Sequence, residues 1–286
     1  GVRRLMTRTG DDISRGFPDL LAALTFEGVL DGELLVRGSG GGVGAFNDLQ
    51  QRLNRKAPDG KLMTRLPSMQ RAYDQMSDAE GDARPLSFLD RRARLEALVG
   101  ASDPTRIDLS PLVAFDDWRH LDALRRSPPD PCIEGVMLKR RDSAYVGGRP
   151  RGPWFKWKRD PNLVDCVLMY AQRGHGKRSG LYSDFTFGVW RGDALTPVGK
   201  AYFGFTDEEL KELDRFVRAN TTETFGPVRA VRQELVLEIA FEGLQRSTRH
   251  KSGVAMRFPR INRIRWDKPA ADADRLEALD ALLGPA

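Results

Sequence analysis

Apolar and polar positions along the chain repeat with two different periods. The run Val29-Leu30-Asp31-Gly32-Glu33-Leu34-Leu35-Val36 sets a turn-prone Asp-Gly inside an apolar stretch and reads as paired strands. Residues 37–45, with five glycines, read as a flexible loop. No Gly-Lys-Ser/Thr follows them, so this loop lacks what a phosphate-cradling P-loop needs. Helical spacing then takes over. Leu49 and Leu53 share one face of a helix from Phe46 to Arg55. Ser87-Phe88-Leu89-Asp90 opens a second helix, whose Leu95, Leu98 and Val99 point inward. A proline-rich break at Ser127-Pro128-Pro129-Asp130-Pro131 precedes a strand from Cys132 to Lys139, and a basic, glycine-rich loop leads from it to the strand Trp154-Phe155-Lys156-Trp157-Lys158.

Beyond Arg159-Asp160-Pro161 the pattern is mostly of period two. Val164 to Ala171, Asp184 to Trp190 and Glu234 to Glu242 are predicted strands. In the last of these, Leu235, Leu237, Ile239 and Phe241 alternate with Val236, Glu238 and Ala240. One helix interrupts them, with Thr206 and Glu209 as a capping box and Leu210, Leu213, Phe216 and Val217 as its apolar stripe. Short strands around a single helix suit a small closed barrel of the OB type, and Asp274 to Leu279 reads as a short terminal helix. The expected division is therefore a first domain over residues 1–160 and a second over 161–286.

Composition bounds the chemistry. At 286 residues the chain is long enough for two domains, each with its own core. No apolar run approaches the roughly 20 residues that cross a bilayer, and no charged-then-apolar signal opens the chain. Two cysteines, Cys132 and Cys166, cannot build a disulfide framework or a four-cysteine zinc site, and three dispersed histidines argue against a histidine-rich metal centre. The net charge is +6, carried by thirty-six arginines and only ten lysines. Arginine excess suits planar, bidentate phosphate recognition.

Four clusters carry candidate chemistry. Asp31-Gly32-Glu33 places two carboxylates around a glycine. Glu134-Gly135-Val136-Met137-Leu138-Lys139 brackets an apolar strand with opposite charges, on opposite faces by alternation. Lys156 and Lys158 share one face of their strand, where like charges repel unless an anion such as a phosphate lies over both. From Gln245 to Trp266 there is no acidic residue, yet Arg246, Arg249, Lys251, Arg257, Arg260, Arg263 and Arg265 all occur, which is an electrostatic footprint for a polyanion. Carboxylates suited to Mg²⁺, paired lysines and a basic strip converge on phosphoryl or nucleotidyl transfer on nucleic acid.

The order Asp-Gly-Glu, Glu-Gly-Val-Met-Leu-Lys, Lys-Trp-Lys and finally Arg257-Phe258-Pro259-Arg260 through Arg265-Trp266-Asp267-Lys268 resembles the ATP-dependent DNA ligases, over almost the whole chain. The resemblance implies an α+β protein: an adenylation domain of antiparallel sheets with flanking helices, followed by an OB barrel. It implies ATP and Mg²⁺ as cofactors, nicked duplex DNA as the partner, and sealing through lysyl-AMP and DNA-adenylate intermediates. A monomer in the bacterial cytoplasm, at the nucleoid, is the expected setting. By this resemblance Arg8 binds the 5′-phosphate strand of the nick. Glu33 contacts the ribose and supports the metal, Tyr73 stacks on adenine, and Glu134 binds metal. Lys156 and Lys158 grip the α-phosphate, while Arg265, Asp267 and Lys268 orient the leaving pyrophosphate. Arg246, Arg249, Lys251, Arg257, Arg260 and Arg263 are the expected DNA contacts.

The nucleophile is where the chain departs from the family. In the family it is a lysine in Lys-x-Asp-Gly, upstream of the early arginine, and the first lysine here is Lys56. Lys56-Ala57-Pro58-Asp59-Gly60 has one residue too many and follows Glu33, so it is a decoy. A chain truncated ahead of its nucleophile, unable to adenylate itself, is the expectation. The alternatives are a catalytically dead nucleic-acid-binding fragment and an RNA ligase or capping-type nucleotidyltransferase. The Phe-Pro-Arg ending disfavours capping enzymes, and the shortage of cysteines disfavours an NAD-dependent ligase.

Overall fold

Strand pairing decides the fate of the first apolar run. In the computed structural model, which describes residues 1–38, 42–53, 55–130, 132–148, 150–176 and 179–283, Val29–Val36 is a single strand, β1. The expected hairpin turn at Asp31-Gly32 is thus corrected. β1 runs antiparallel to β2 (Ser68–Asp78) along its whole length, from Val29 opposite Ser77 to Val36 opposite Ser68. The register slips between Asp31 and Gly32, which leaves Tyr73 as an extra residue in β2. Gly32 serves close approach rather than turning, because a Cβ there would lie 2.8 Å from the Arg71 carbonyl oxygen. Of the predicted glycine loop, residues 39–41 lie outside the described residues, as does Pro131 in the proline-rich break.

The chain packs into two units, Gly1–Arg159 and Asp160–Ala286. In the first, β3 (Gly81–Asp82) pairs antiparallel with the end of β2 and β4 (Ile107–Leu109) pairs parallel with its first half, at Gln70 to Ala72. Helices α1 (Pro18–Ala23), α2 (Phe46–Leu53), α3 (Gly60–Arg65), α4 (Phe88–Gly100) and α5 (Trp118–Arg126) flank the strands. Ser87 caps α4 as its sequence predicts, accepting from Asp90 N–H. The core gathers Phe17, Leu20, Val36, Ala72, Leu95 and Ile107. A separate antiparallel hairpin joins β5 (Gly135–Lys139) to β6 (Trp154–Lys158). Its first strand starts at Gly135, not at Cys132.

The second unit winds a seven-stranded antiparallel sheet around its own core. β7 (Asn162–Arg173) is the hub: it pairs with β8 (Tyr182–Arg191), with β11 (Val228–Val231) and with β12 (Val236–Phe241). β9 (Ala194–Ala201) extends from β8, β10 (Thr221–Phe225) from β11, and β15 (Arg260–Arg265) from β12. A second hairpin joins β13 (Gly243–Arg246) to β14 (Val254–Arg257). Helix α6 (Asp207–Asn220) starts at the predicted capping box, with both reciprocal bonds formed, and α7 (Leu276–Leu282) begins two residues later than its pattern suggests. The alternation in β12 is buried on both faces. Leu237, Ile239 and Phe241 enter the main core, while Val236 packs with Val167 and Ala273 on the other side. A central strand covered on both sides needs apolar residues at both parities.

Candidate active site

The bulge in β2 builds the centre of the site. Its extra residue sets Tyr73 and Asp74, neighbours in sequence, where both reach Lys139 at the end of β5. The Lys139 ammonium donates to Asp74 Oδ2 at 2.9 Å and to the Tyr73 carbonyl at 3.3 Å. It also lies 5.2 Å from the Tyr73 ring centre, 4.8 Å from that of Phe88 and 5.2 Å from that of Trp154. Arg91 of α4 completes the cluster, with Nε 2.7 Å from Asp74 Oδ1. Asp74 and Arg91 are fully buried. Burial alone would raise the Asp74 carboxyl, but hydrogen bonds from Arg91 and Lys139 outweigh it and hold the group below its ordinary range. Burial lowers Lys139 below the usual lysine range, against the pull of Asp74.

Asp31 on β1 gathers two phenols. Tyr73 Oη donates to Asp31 Oδ1 at 3.1 Å and Tyr145 Oη to Asp31 Oδ2 at 2.7 Å. Burial, together with this carboxylate, pushes both phenols above the usual tyrosine range, so both stay protonated donors. Tyr145 also stacks edge-on against Trp154 at 4.9 Å, which fastens the loop between β5 and β6 to β1. Glu33 follows on β1, opposite Arg71.

The β5–β6 hairpin carries the remaining first-unit candidates. Lys139 pairs with Trp154, Met137 with Lys156 and Gly135 with Lys158. By strand parity Lys156 and Lys158 share the face of Trp154, the side on which Lys139 meets Asp74. Phe155 and Trp157 take the opposite face, where the Arg125 guanidinium lies 5.0 Å from the Trp157 ring. Glu134, just ahead of β5, meets Lys158 with Nζ and Oε2 3.3 Å apart. Gly135 makes this crossing possible: with φ of 146°, its Cβ would fall 2.4 Å from the Trp157 carbonyl and 2.6 Å from Lys158 Cα.

Other predicted residues stand apart from this cluster. Arg8 is exposed in the turn Thr7–Gly10 and makes no bond to another described residue. The Lys56 decoy leads into α3, where Asp59 is the N-cap and accepts from Leu62 N–H at 2.7 Å. A concavity of ≈ 290 Å³ near α3, lined by Arg55, Asp59, Lys61 and Arg65, contains none of the site residues named above.

In the second unit, Arg265 and Lys268 converge on one carboxylate. Asp165 Oδ2 accepts from Lys268 Nζ at 2.7 Å and from Arg265 at 3.3 Å. Arg265 also forks onto Asp267, whose carboxyl drops to about 2 through those hydrogen bonds. The bond to Asp165 raises Lys268. Arg246, Arg249 and Lys251 are exposed on the β13–β14 hairpin, Arg257 ends β14, and Arg260 and Arg263 lie on β15. Phe258, ahead of Pro259, takes a φ of 52° with its ring 5.1 Å from the Arg257 guanidinium.

Sequence reasoning missed Asp74, Arg91, Tyr145 and Asp165. Arg91 was detectable, since it falls on the buried stripe of α4 with Phe88, Leu95 and Val99, and a cation on an apolar stripe signals a buried partner. Tyr145 reaches Asp31 from 114 residues away, and no local pattern reports that.

Two family models cover most of the chain. That for the ATP dependent DNA ligase domain matches residues 1–158, and that for the ATP dependent DNA ligase C terminal region matches residues 178–268. A probable DNA ligase of Koribacter versatilis is 36% identical over 98% of this chain and 52% of its own length. One from Streptomyces avermitilis is 34% identical over 96% and 54%. A DNA ligase of Natronomonas pharaonis is 30% identical over 98% and 50%. The chain thus spans about half the length of these curated relatives. A structure from a study of DNA binding by Lig E DNA ligases superposes with a TM-score of 0.65 at 19% identity, covering 92% of this chain and 86% of that one. That likeness bears out the expected α+β fold, antiparallel sheets with flanking helices followed by an OB barrel. The match of more than half the chain to one family model settles its membership: this protein belongs to the ATP-dependent DNA ligases.

Proposed function

We propose that this chain supplies the phosphate-handling and DNA-sealing machinery of an ATP-dependent ligase acting on nicked duplex DNA. The observation that carries the reading is the shared face of Lys156, Lys158, Lys139 and Trp154, next to the Tyr73–Asp31 contact. It sets two lysines for phosphate beside an aromatic ring suited to adenine. In the sealing step the 3′-hydroxyl oxygen attacks the adenylated 5′-phosphorus. A new P–O bond forms, the bond to AMP breaks, AMP leaves with the electron pair, and the hydroxyl proton passes to solvent. Lys156 and Lys158 offset the charge that builds on the reacting phosphate. Arg8 and the basic residues Arg246, Arg249, Lys251, Arg257, Arg260 and Arg263 bind the DNA backbone, and Arg265 and Lys268 serve the pyrophosphate of ATP.

Glu33 and Glu134 fit Mg²⁺ as single carboxylates. Mg²⁺ binds through one or two carboxylates together with substrate phosphates, and these two side chains are the ones that would hold it. When bound, the ion neutralises phosphate charge.

The test supplies duplex DNA with an AMP-capped nick, Mg²⁺ and no ATP, so that no lysyl nucleophile is required. The chain should join this substrate, and Lys158→Met should slow joining by roughly 10²–10³-fold, as for loss of one charge-stabilising group. A folded chain that binds the nick but never joins it would leave only the reading of a DNA-binding fragment.

A further inference from the structure

We propose that Tyr145 is a positioning residue for the base of AMP, tying the Tyr73 ring through Asp31 to the strand that carries Lys156 and Lys158. It rests on the reading of Tyr73 as the ring that stacks on adenine. The need for such a tie follows from the bulge. Tyr73 is the extra residue of β2, with no counterpart in the register of β1, so the ladder does little to orient its side chain. Two contacts do that instead. Lys139 lies over one face of the ring, 5.2 Å from its centre, which leaves the opposite face for a base. Asp31 holds the phenol end, with Tyr73 Oη donating to Oδ1 at 3.1 Å.

Asp31 serves as a fixed point only if its own carboxylate does not swing. Its second oxygen settles this, since Oδ2 accepts from Tyr145 Oη at 2.7 Å. Each carboxylate oxygen thus holds one phenol, and turning the Asp31 side chain would break both bonds together. Tyr145 is anchored in turn. Its backbone N–H donates to the Arg84 carbonyl at 2.8 Å. Its ring meets Trp154 edge-on at 4.9 Å and has the Arg91 guanidinium 5.8 Å from its centre. Arg91 also donates to the Ser143 carbonyl at 2.9 Å, two residues before Tyr145. Because Arg91 is itself fully buried and bonded to Asp74, the frame behind Tyr145 is rigid.

Trp154 carries the contact into β6, as the first residue of that strand and on the same parity as Lys156 and Lys158. The ring that receives the base and the strand that grips the phosphate are therefore joined, through Asp31, Tyr145 and Trp154. A nucleotide held by its base has a limited reach to its phosphate. Joining the two protein parts sets where the phosphorus falls against the lysines. The rate depends on that placement, since a displacement of about 1 Å can cost roughly 10²-fold.

The experiment compares joining of two nicked duplexes by the full chain, with Mg²⁺ and no ATP. One nick is capped with AMP, the other with ribose 5-phosphate, which has no base to stack. The unaltered chain should join the AMP-capped nick faster. Tyr145→Phe keeps the ring against Trp154 and removes only the bond to Asp31, and it should lower the ratio of the two rates by roughly tenfold. Tyr73→Phe should slow AMP-capped joining to a similar extent. The double variant should be no slower than either single one, because both phenols act through one carboxylate. A folded Tyr145→Phe variant that leaves the ratio unchanged refutes the positioning role, and so does a double variant whose losses multiply. If the unaltered chain joins both nicks equally well, the adenine reading of Tyr73 fails and takes the proposal with it. If it joins neither, the sealing function itself fails.

Discussion

Lys139 shows how much one side chain holds together in the first unit. It joins Asp74 to the ring of Tyr73 and lies among three aromatic faces. Removing one member of a buried ion pair costs ~3–5 kcal/mol when the other is left uncompensated. Arg91 still serves Asp74 here, so Lys139→Met should destabilise the unit by about 2 kcal/mol. Urea unfolding measures this, and pairing the change with Asp74→Asn in a double-mutant cycle should recover part of the loss. Asp19 offers a test by acid. Burial would raise its carboxyl, but bonds from Arg52 and Ser68 take it from 3.8 down to about 2. A folded-state pKa below the unfolded one adds stability above the unfolded value, and that stability is lost as pH falls through the folded value. Unfolding of the first unit should therefore become easier between about pH 4 and about pH 2, and Asp19→Asn should flatten that profile. Asp19 is inconspicuous in the sequence, because it gains its role from partners distant along the chain.

At the scale of elements, the β5–β6 hairpin is the part on which the proposed chemistry depends most. Gly135 permits the crossing that brings Glu134 to Lys158. Gly135→Ala should force the strands apart at this point and slow joining of an AMP-capped nick at least tenfold. Circular dichroism of the variant should stay close to that of the parent chain, since the core residues lie elsewhere. Full activity in that variant would show that the Glu134–Lys158 crossing does not matter. Much of this level was legible in advance. Helices α4 and α6 announce themselves through Ser87, Thr206 and Glu209, since caps act within a few residues. The paired lysines of β6 follow from a period of two. The bulge at Tyr73 was not legible, because a register shift belongs to two strands at once and Asp-Gly in isolation favours a turn.

For the molecule as a whole, each unit buries its own core. One gathers residues between Phe17 and Ile107, and the other residues between Val164 and Leu279. Unfolding should therefore show two transitions. Lys139→Met should shift only the first unit's transition and Leu237→Ala only the second's, the latter by about 2–5 kcal/mol for a truncated core leucine. A single transition that moves with both variants would overturn this independence.

By itself the sequence determined the family, the order of its motifs, the class of most elements and the residue types that handle phosphate. All of these are local in the chain: a cap, a strand period or a run such as Phe-Pro-Arg carries its meaning within a dozen residues. Only the tertiary structure decided which charges meet. Asp74 with Arg91 and Lys139, Asp31 with Tyr73 and Tyr145, and Asp165 with Arg265 and Lys268 are all made by contacts across strands and helices. The reason is physical: an ion pair or a stacked ring depends on distances of a few ångströms, and packing sets those distances between residues that sequence separation leaves far apart.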